Sequence, residues 1–316
     1  MNMEPSPIDA VPSNSDAPPA VAPLTKAFDL RLEPSRRLPA TARGAEWAGG
    51  WTLGLPPGIT TAQWPLSPAS GHPLRHAFTL HVPAEYRTQG QERVAISLFV
   101  DDQADELSSC STIEAFFDAP LSPSPPDQSS LNAFWLHRHA RHPHQHDMKD
   151  ILGTAYAAVW LTQEEFDAAL CIPPHVDSPL LEGTPIWLTP GAFGTCRDEE
   201  CSRQHATRGC SLGLGSACAI GAIIREGDPN VGKPAREWEH ECEASGYIPA
   251  FSDEGTALDL GRWSGVAHLG GTMTPVQGYP DFGPYYLEFE ESFGEFNFGT
   301  GNAQLDLQQM ALDWAC

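Results

Sequence analysis

The chain has 316 residues, with 41 Asp plus Glu against 18 Lys plus Arg, for a formal net charge of −23. That balance repels phosphate backbones and anionic lipid, which argues against nucleic acid and membrane surfaces as partners. A basic protein is the partner class that complementary charge would steer. The length allows one large core or two medium ones.

Residues 1–25 hold six prolines among Ala, Ser and Asp, with no Lys, no Arg and no apolar run. They read as a disordered leader without export or membrane signals, ahead of a single elaborated α+β domain over 26–316. Between Trp47 and Pro73, Gly, Pro and Trp cluster as in a packed irregular loop. His76 to Val82 alternates as a half-buried strand would, and Val94 to Val100 is continuously apolar, as in a central strand. Ser111 with Glu114 has the spacing of a capping box opening a short helix through Phe117. Residues 118–149 read as a loop, Pro- and Ser-rich and then His-rich. Ala155–Leu161 resumes as a strand, and Thr162 with Glu165 repeats the capping-box spacing. Pro173 to about Gly232 reads as irregular, and Lys233 to Ala244 as a helix with a charged face.

The last segment is the most regular. Tyr285, Leu287 and Phe289, then Phe296 and Phe298, then Ala303, Leu305 and Leu307 alternate with polar residues, and Gly299-Thr300-Gly301 supplies a turn. If the three strands are neighbours, Glu288, Glu290, Glu295, Asn297, Gln304 and Asp306 share one solvent face. From Gly261 to Cys316 only Arg262 is basic. The fold class expected is therefore predominantly antiparallel sheet, with short helices and long Gly/Pro-rich loops. Gly/Pro/aromatic loops precede strand pairs near both ends, which raises two related halves, about 26–110 and 261–316, around an inserted middle.

Gly270-Gly271, Pro275-Val276-Gln277-Gly278, the Phe296–Asp306 hairpin and Trp314-Ala315-Cys316 resemble the closing portion of YwqG-like bacterial proteins. Trp64-Pro65, Gly71, Pro73-Leu74 and the strand pair from His76 to Val100 resemble their opening portion, and the middle departs by insertion. The resemblance implies an α+β fold rich in antiparallel sheet and brings no enzymatic activity with it. The whole chain also resembles proteobacterial immunity-type proteins encoded beside secreted effectors, type VI in particular.

Enzyme signatures are scarce. No phosphate loop occurs, and Gly213-Leu214-Gly215-Ser216-Ala217-Cys218 lacks both the third glycine of a dinucleotide fingerprint and the geometry of a nucleophile elbow. Cys196, Cys201, His205 and Cys210 offer three thiolates and an imidazole for a structural zinc, against the plainer reading of a loop with reduced thiols. His137, His139, His142, His144 and His146 are a second metal-capable cluster, more simply solvated. Glu288, Glu290, Asp306 and Asp313 could pair for acid/base work, but an open strand face does not separate their pKa values. Trp47, Trp51, Trp64, Trp263 and Trp314 fit a core better than a ligand groove.

The reading expected from sequence is a cytoplasmic, non-catalytic immunity protein without cofactor that blocks a basic toxin such as a nuclease effector. Tyr286, Glu288, Glu290, Glu295 and Asp306 form its first partner-binding patch, and Glu237, Glu239, Glu241 and Glu243 its second. A metal-dependent hydrolase and a zinc-stabilised scaffold are the alternatives.

Overall fold

A computed structural model describes residues 23–38, 47–101, 109–188 and 217–316. Eleven strands form one sheet in the order β11-β10-β9-β8-β1-β7-β2-β3-β4-β6-β5. They are β1 (Ala27–Leu38), β2 (Gly50–Thr52), β3 (Arg75–His81), β4 (Arg93–Val100), β5 (Gln145–Lys149), β6 (Ala155–Thr162), β7 (Ala217–Arg225), β8 (His268–Leu269), β9 (Tyr286–Glu290), β10 (Asn302–Asp306) and β11 (Ala311–Ala315). Every paired strand is antiparallel. The short helices are α1 (Ser111–Asp118), α2 (Asn132–Ala140), α3 (Gln163–Phe166), α4 (Glu239–Ser245) and α5 (Asp253–Ala257). This is the α+β, sheet-dominated class expected from the sequence.

The sheet curls until its ends nearly meet. Trp314 of β11 donates its indole N–H to Asp150 Oδ2, just past β5, at 2.7 Å. Curling lets one face converge on a single apolar core that includes Phe78, Leu98, Trp160, Leu287, Phe289 and Leu305. Phe289 sits with ring centroids 5.7 Å from Phe78 and 5.0 Å from Phe296.

The opposite face is covered in two places. Over β3, β4 and β6 lies a second core of Trp47, Trp51, Trp64, Phe99, Phe166 and Trp187. Most of the indole area there is thus used in packing. The strand read as half-buried is buried on both faces, because this Trp-rich loop closes over its outer side. Over β8–β10 lie residues 226–282, with Cys242, Tyr247, Met273 and Tyr286 in a third cluster.

The Thr162 capping box forms: its hydroxyl accepts Glu165 N at 3.2 Å, and Glu165 Oε2 accepts Thr162 N at 2.7 Å. The Ser111 box does not, since α1 starts at Ser111 with Cys110 in the capping position and no side-chain cap. Residues 118–149 are not a continuous loop but contain α2 and β5, and the region read as irregular contains β7. Phe296 and Phe298 lie in turns, not on a strand. They stack on each other at 5.1 Å while Glu295 (φ 55°) and Thr300 (φ 74°) break extended backbone on either side. The expected helix from Lys233 shortens to α4. At the start of the described chain Leu24 is buried and Thr25 N donates to Glu85 Oε2 at 3.0 Å, so packed structure begins before residue 26.

Candidate functional site

The polar faces of β9 and β10 do line up as alternation requires, since Glu288 pairs with Gln304 and Tyr286 with Asp306 across the register. They do not meet solvent. Tyr286 and Asp306 are 0% exposed and Glu288 2%, while Glu290 and Glu295 are half-buried. The expected acidic docking face is therefore corrected for Tyr286, Glu288 and Asp306, which the 271–284 segment covers, using the two carboxylates as anchors; Glu290 and Glu295 stay partly exposed beside it. Glu288 accepts Thr274 Oγ1 at 2.8 Å, Thr274 N at 3.0 Å and Gln304 Nε2 at 3.1 Å. Asn302 Oδ1 accepts Val276 N at 3.1 Å, and its amide donates to Thr274 O at 2.9 Å. Asp306 accepts Gly283 N at 3.0 Å, Gln308 N at 2.7 Å and Gln309 N at 2.8 Å. The Pro275-Val276-Gln277 run, which carries part of the YwqG-like resemblance, is this strap.

Burial is the dominant influence on Glu288 and lifts its pKa from 4.5 to about 7 against the pull of its donors. His268 stands 3.8 Å away, but burial and then Arg225 hold it neutral, and its Nδ1–H donates to Val266 O at 2.8 Å. Arg225 reaches Asp29 Oδ1 at 2.5 Å and Thr272 O at 3.2 Å, with its guanidinium carbon 4.9 Å from the Trp263 ring centroid. Gly270 (φ 59°) and Gly271 (φ 81°) are required sterically: a Cβ on the first would lie 2.2 Å from the Tyr86 hydroxyl, and on the second 2.4 Å from Asp228. Gly270 lets the chain leaving β8 pass Tyr86 of the main core, and Gly271 lets it pass Asp228 of the cover.

Glu237 and Glu241 are exposed; Glu239 and Glu243 belong to α4, but their side chains fall outside the described residues. Around them the segment 236–263 exposes Trp238 (57%), Phe251 (64%) and Leu258 (46%), together with Asp253, Glu254 and Asp259. Arg236 pairs with Asp281 at 3.2 Å, and Arg262 lies 3.9 Å over the Trp263 ring. Sequence reasoning missed the apolar members, which sit in bends and turns just outside the short helices, where no periodicity reports exposure.

A cleft of about 490 Å³ lies between the 63–68 loop, α1, α2 and the β5–β6 edge. Its buried lining includes Trp64, Leu74, Met148 and Tyr156. Arg138, Arg141 and Lys149 also line it, with Asp118 and Asp147. Arg141 takes Asp147 at 3.0 Å, whereas Arg138 donates to the carbonyls of Phe116 (2.6 Å) and Ala119 (2.8 Å), which hold the side chain without cancelling its charge. His137, also in the lining, is kept toward neutral by burial.

The histidine-rich stretch is thus partly helix and partly edge strand. His142 bonds Glu165 at 3.1 Å. Among the described residues no group of three His, Cys, Asp or Glu side chains is placed to hold a metal ion. Cys196, Cys201, His205 and Cys210 lie outside the described residues. One chain of hydroxyls and imidazole exists: His76 Nε2 stands 2.9 Å from Thr79 Oγ1, which stands 2.8 Å from Ser97 Oγ. All three are at most 1% exposed, and burial drops the His76 pKa to about 3, so this chain ties strands together and offers no open nucleophile. Among the described residues, no helix is long and apolar enough to cross a membrane. Compared with known proteins, the chain matches no family model, no curated protein and no solved structure.

Proposed function

We propose that this chain is a non-catalytic binding protein whose acidic 236–263 surface captures a basic protein, and that it serves as a cytoplasmic immunity protein against a secreted toxin. The observation that carries the reading is the combination on that segment: Trp238, Phe251 and Leu258 are exposed on the same stretch of chain that exposes Glu237, Glu241, Asp253, Glu254 and Asp259. Exposed aromatics supply anchor area at small entropy cost, and the acids raise encounter rates with a cationic enzyme surface. Glu288 and Asp306, expected from sequence on the docking face, take no part, because the strap occupies them. No comparison supports the YwqG-like likeness, so the proposal rests on this surface and on charge.

The test is co-purification with the protein encoded by the adjacent open reading frame, followed by association kinetics against salt. Glu237→Lys with Glu241→Lys should slow association at low salt, and Trp238→Ala with Phe251→Ala should speed dissociation roughly 30-fold, the scale of a single interface hot spot. A stable complex unaffected by both pairs refutes the surface, and turnover of a substrate by the purified chain refutes the function.

A further inference from the structure

The cleft between α2, β5 and the 63–68 loop is used by neither the strap nor the acidic segment. Its size falls within the usual range of small-ligand pockets, roughly 300 to 1,000 Å³. Its character opposes that of the molecule. On a chain of net charge −23, three cations and two carboxylates line it, and one of those carboxylates is already taken by Arg141. Lys149 is exposed, and among the described residues it has no carboxylate partner. Burial and then the neighbouring Arg141 disfavour the charge on Arg138, a repulsion that a bound anion would relieve.

Beside these cations the buried lining is aromatic and aliphatic. The Trp64 indole is fixed by its bond to Leu74 O at 2.8 Å, so the wall is formed before any ligand arrives. Cationic rim and rigid apolar wall together select a molecule with two ends.

We propose that this cleft binds a small organic anion, an aromatic or aliphatic carboxylate or sulfonate, with its apolar body against Leu66, Phe117 and Leu121, backed by Trp64 and Tyr156, and its charged head between Arg138, Arg141 and Lys149. The site is independent of the protein-binding reading, and failure of either leaves the other standing.

Anilinonaphthalene sulfonate is a suitable probe, with phenylnaphthylamine as a partner of the same shape without the charge. Fluorescence titration of the full chain should give one saturable site for the anion and at least tenfold weaker binding of the neutral analogue. Lys149→Glu, at an exposed position, should weaken the anion at least tenfold and leave the neutral probe unchanged. Leu121 is an exposed member of the lining, and Leu121→Trp, whose larger ring would narrow the cleft, should weaken both, while circular dichroism of each variant matches the parent. Equal affinity for the two probes, or an anion affinity indifferent to Lys149→Glu, overturns the proposal. So does multi-site binding that Leu121→Trp does not reduce.

Discussion

Replacing Glu288 with Gln isolates the cost of burying a titratable group under the strap. The carboxyl's pKa rises from 4.5 to about 7 in the folded chain. Between those values the native state holds a proton that the unfolded state has released, so stability falls as pH rises through the window and levels off above it. At about 1.4 kcal/mol per pKa unit, the ionised group costs the native state roughly 3 kcal/mol at pH 8 but under about 1 kcal/mol at pH 5. In the Glu288→Gln variant the side chain keeps an oxygen for Thr274 and sets an amide against Gln304, a change of about 1 kcal/mol that does not vary with pH. The absolute curve of the parent is a poor readout. His76 and His268 have lowered pKa values, so their contribution is lost as pH falls below 6.5, opposite in sense to that of Glu288. The difference between parent and variant cancels them. Urea unfolding followed by tryptophan fluorescence at pH 5, 6, 7 and 8 should show Glu288→Gln gaining roughly 2 to 3 kcal/mol relative to the parent across the series. A difference that stays flat within about 0.5 kcal/mol would mean that the Thr274 and Gln304 donors hold the carboxylate ionised throughout, and the burial argument would be wrong.

Phe289→Ala should cost about 3 to 5 kcal/mol, because the ring is fully buried and contacts Phe78, Phe293, Phe296 and Phe298; a fall in Tm of only a degree or two would show that the core is loosely packed there. Trp314→Phe removes the 2.7 Å bond to Asp150 across the seam and should cost about 1 kcal/mol, with faster amide exchange confined to β5 and β11; uniform exchange changes would refute a local seam.

Period-two alternation made β3, β9 and β10 legible, and continuous apolarity made β4 so, because each carries large apolar residues on the face that meets the core. It failed where side-chain size or neighbours carried the information instead. In β7 the run Ala217-Cys218-Ala219-Ile220-Gly221-Ala222 shows no alternation, since small residues are tolerated between β1 and β2. In α2 only Phe134 is buried; Trp135 and Leu136 follow it consecutively and His137, Arg138 and His139 come next, so the helix shows no apolar stripe at helical spacing. Phe296 and Phe298 alternate without being a strand, because two turns can aim both rings at one core. The polar face of β9 and β10 was read with the right members and the wrong surroundings: spacing within a strand determines which side chains share a side, but what covers that side is decided by a segment of chain elsewhere.

That distinction changes what the net charge means for a partner. Asp150 accepts Leu152 N, Thr154 N and Trp314 Nε1, and Asp228 accepts Thr272 N and Asn230 N. With Glu288 and Asp306 they form a set of buried carboxylates whose donors are chiefly loop backbone N–H groups. A carboxylate can fix a turn this way because a charged acceptor strengthens bonds to amides that would otherwise be unpaired on leaving a strand. These acids add to the formal charge of −23 yet, being buried, present almost no surface to a docking protein. An acidic composition here therefore has two sources, loops pinned over the curled sheet and a smaller set of exposed carboxylates. Only the second can steer association, so reversing Glu237 and Glu241 should alter the salt dependence of binding, whereas neutralising Glu288 should alter stability alone.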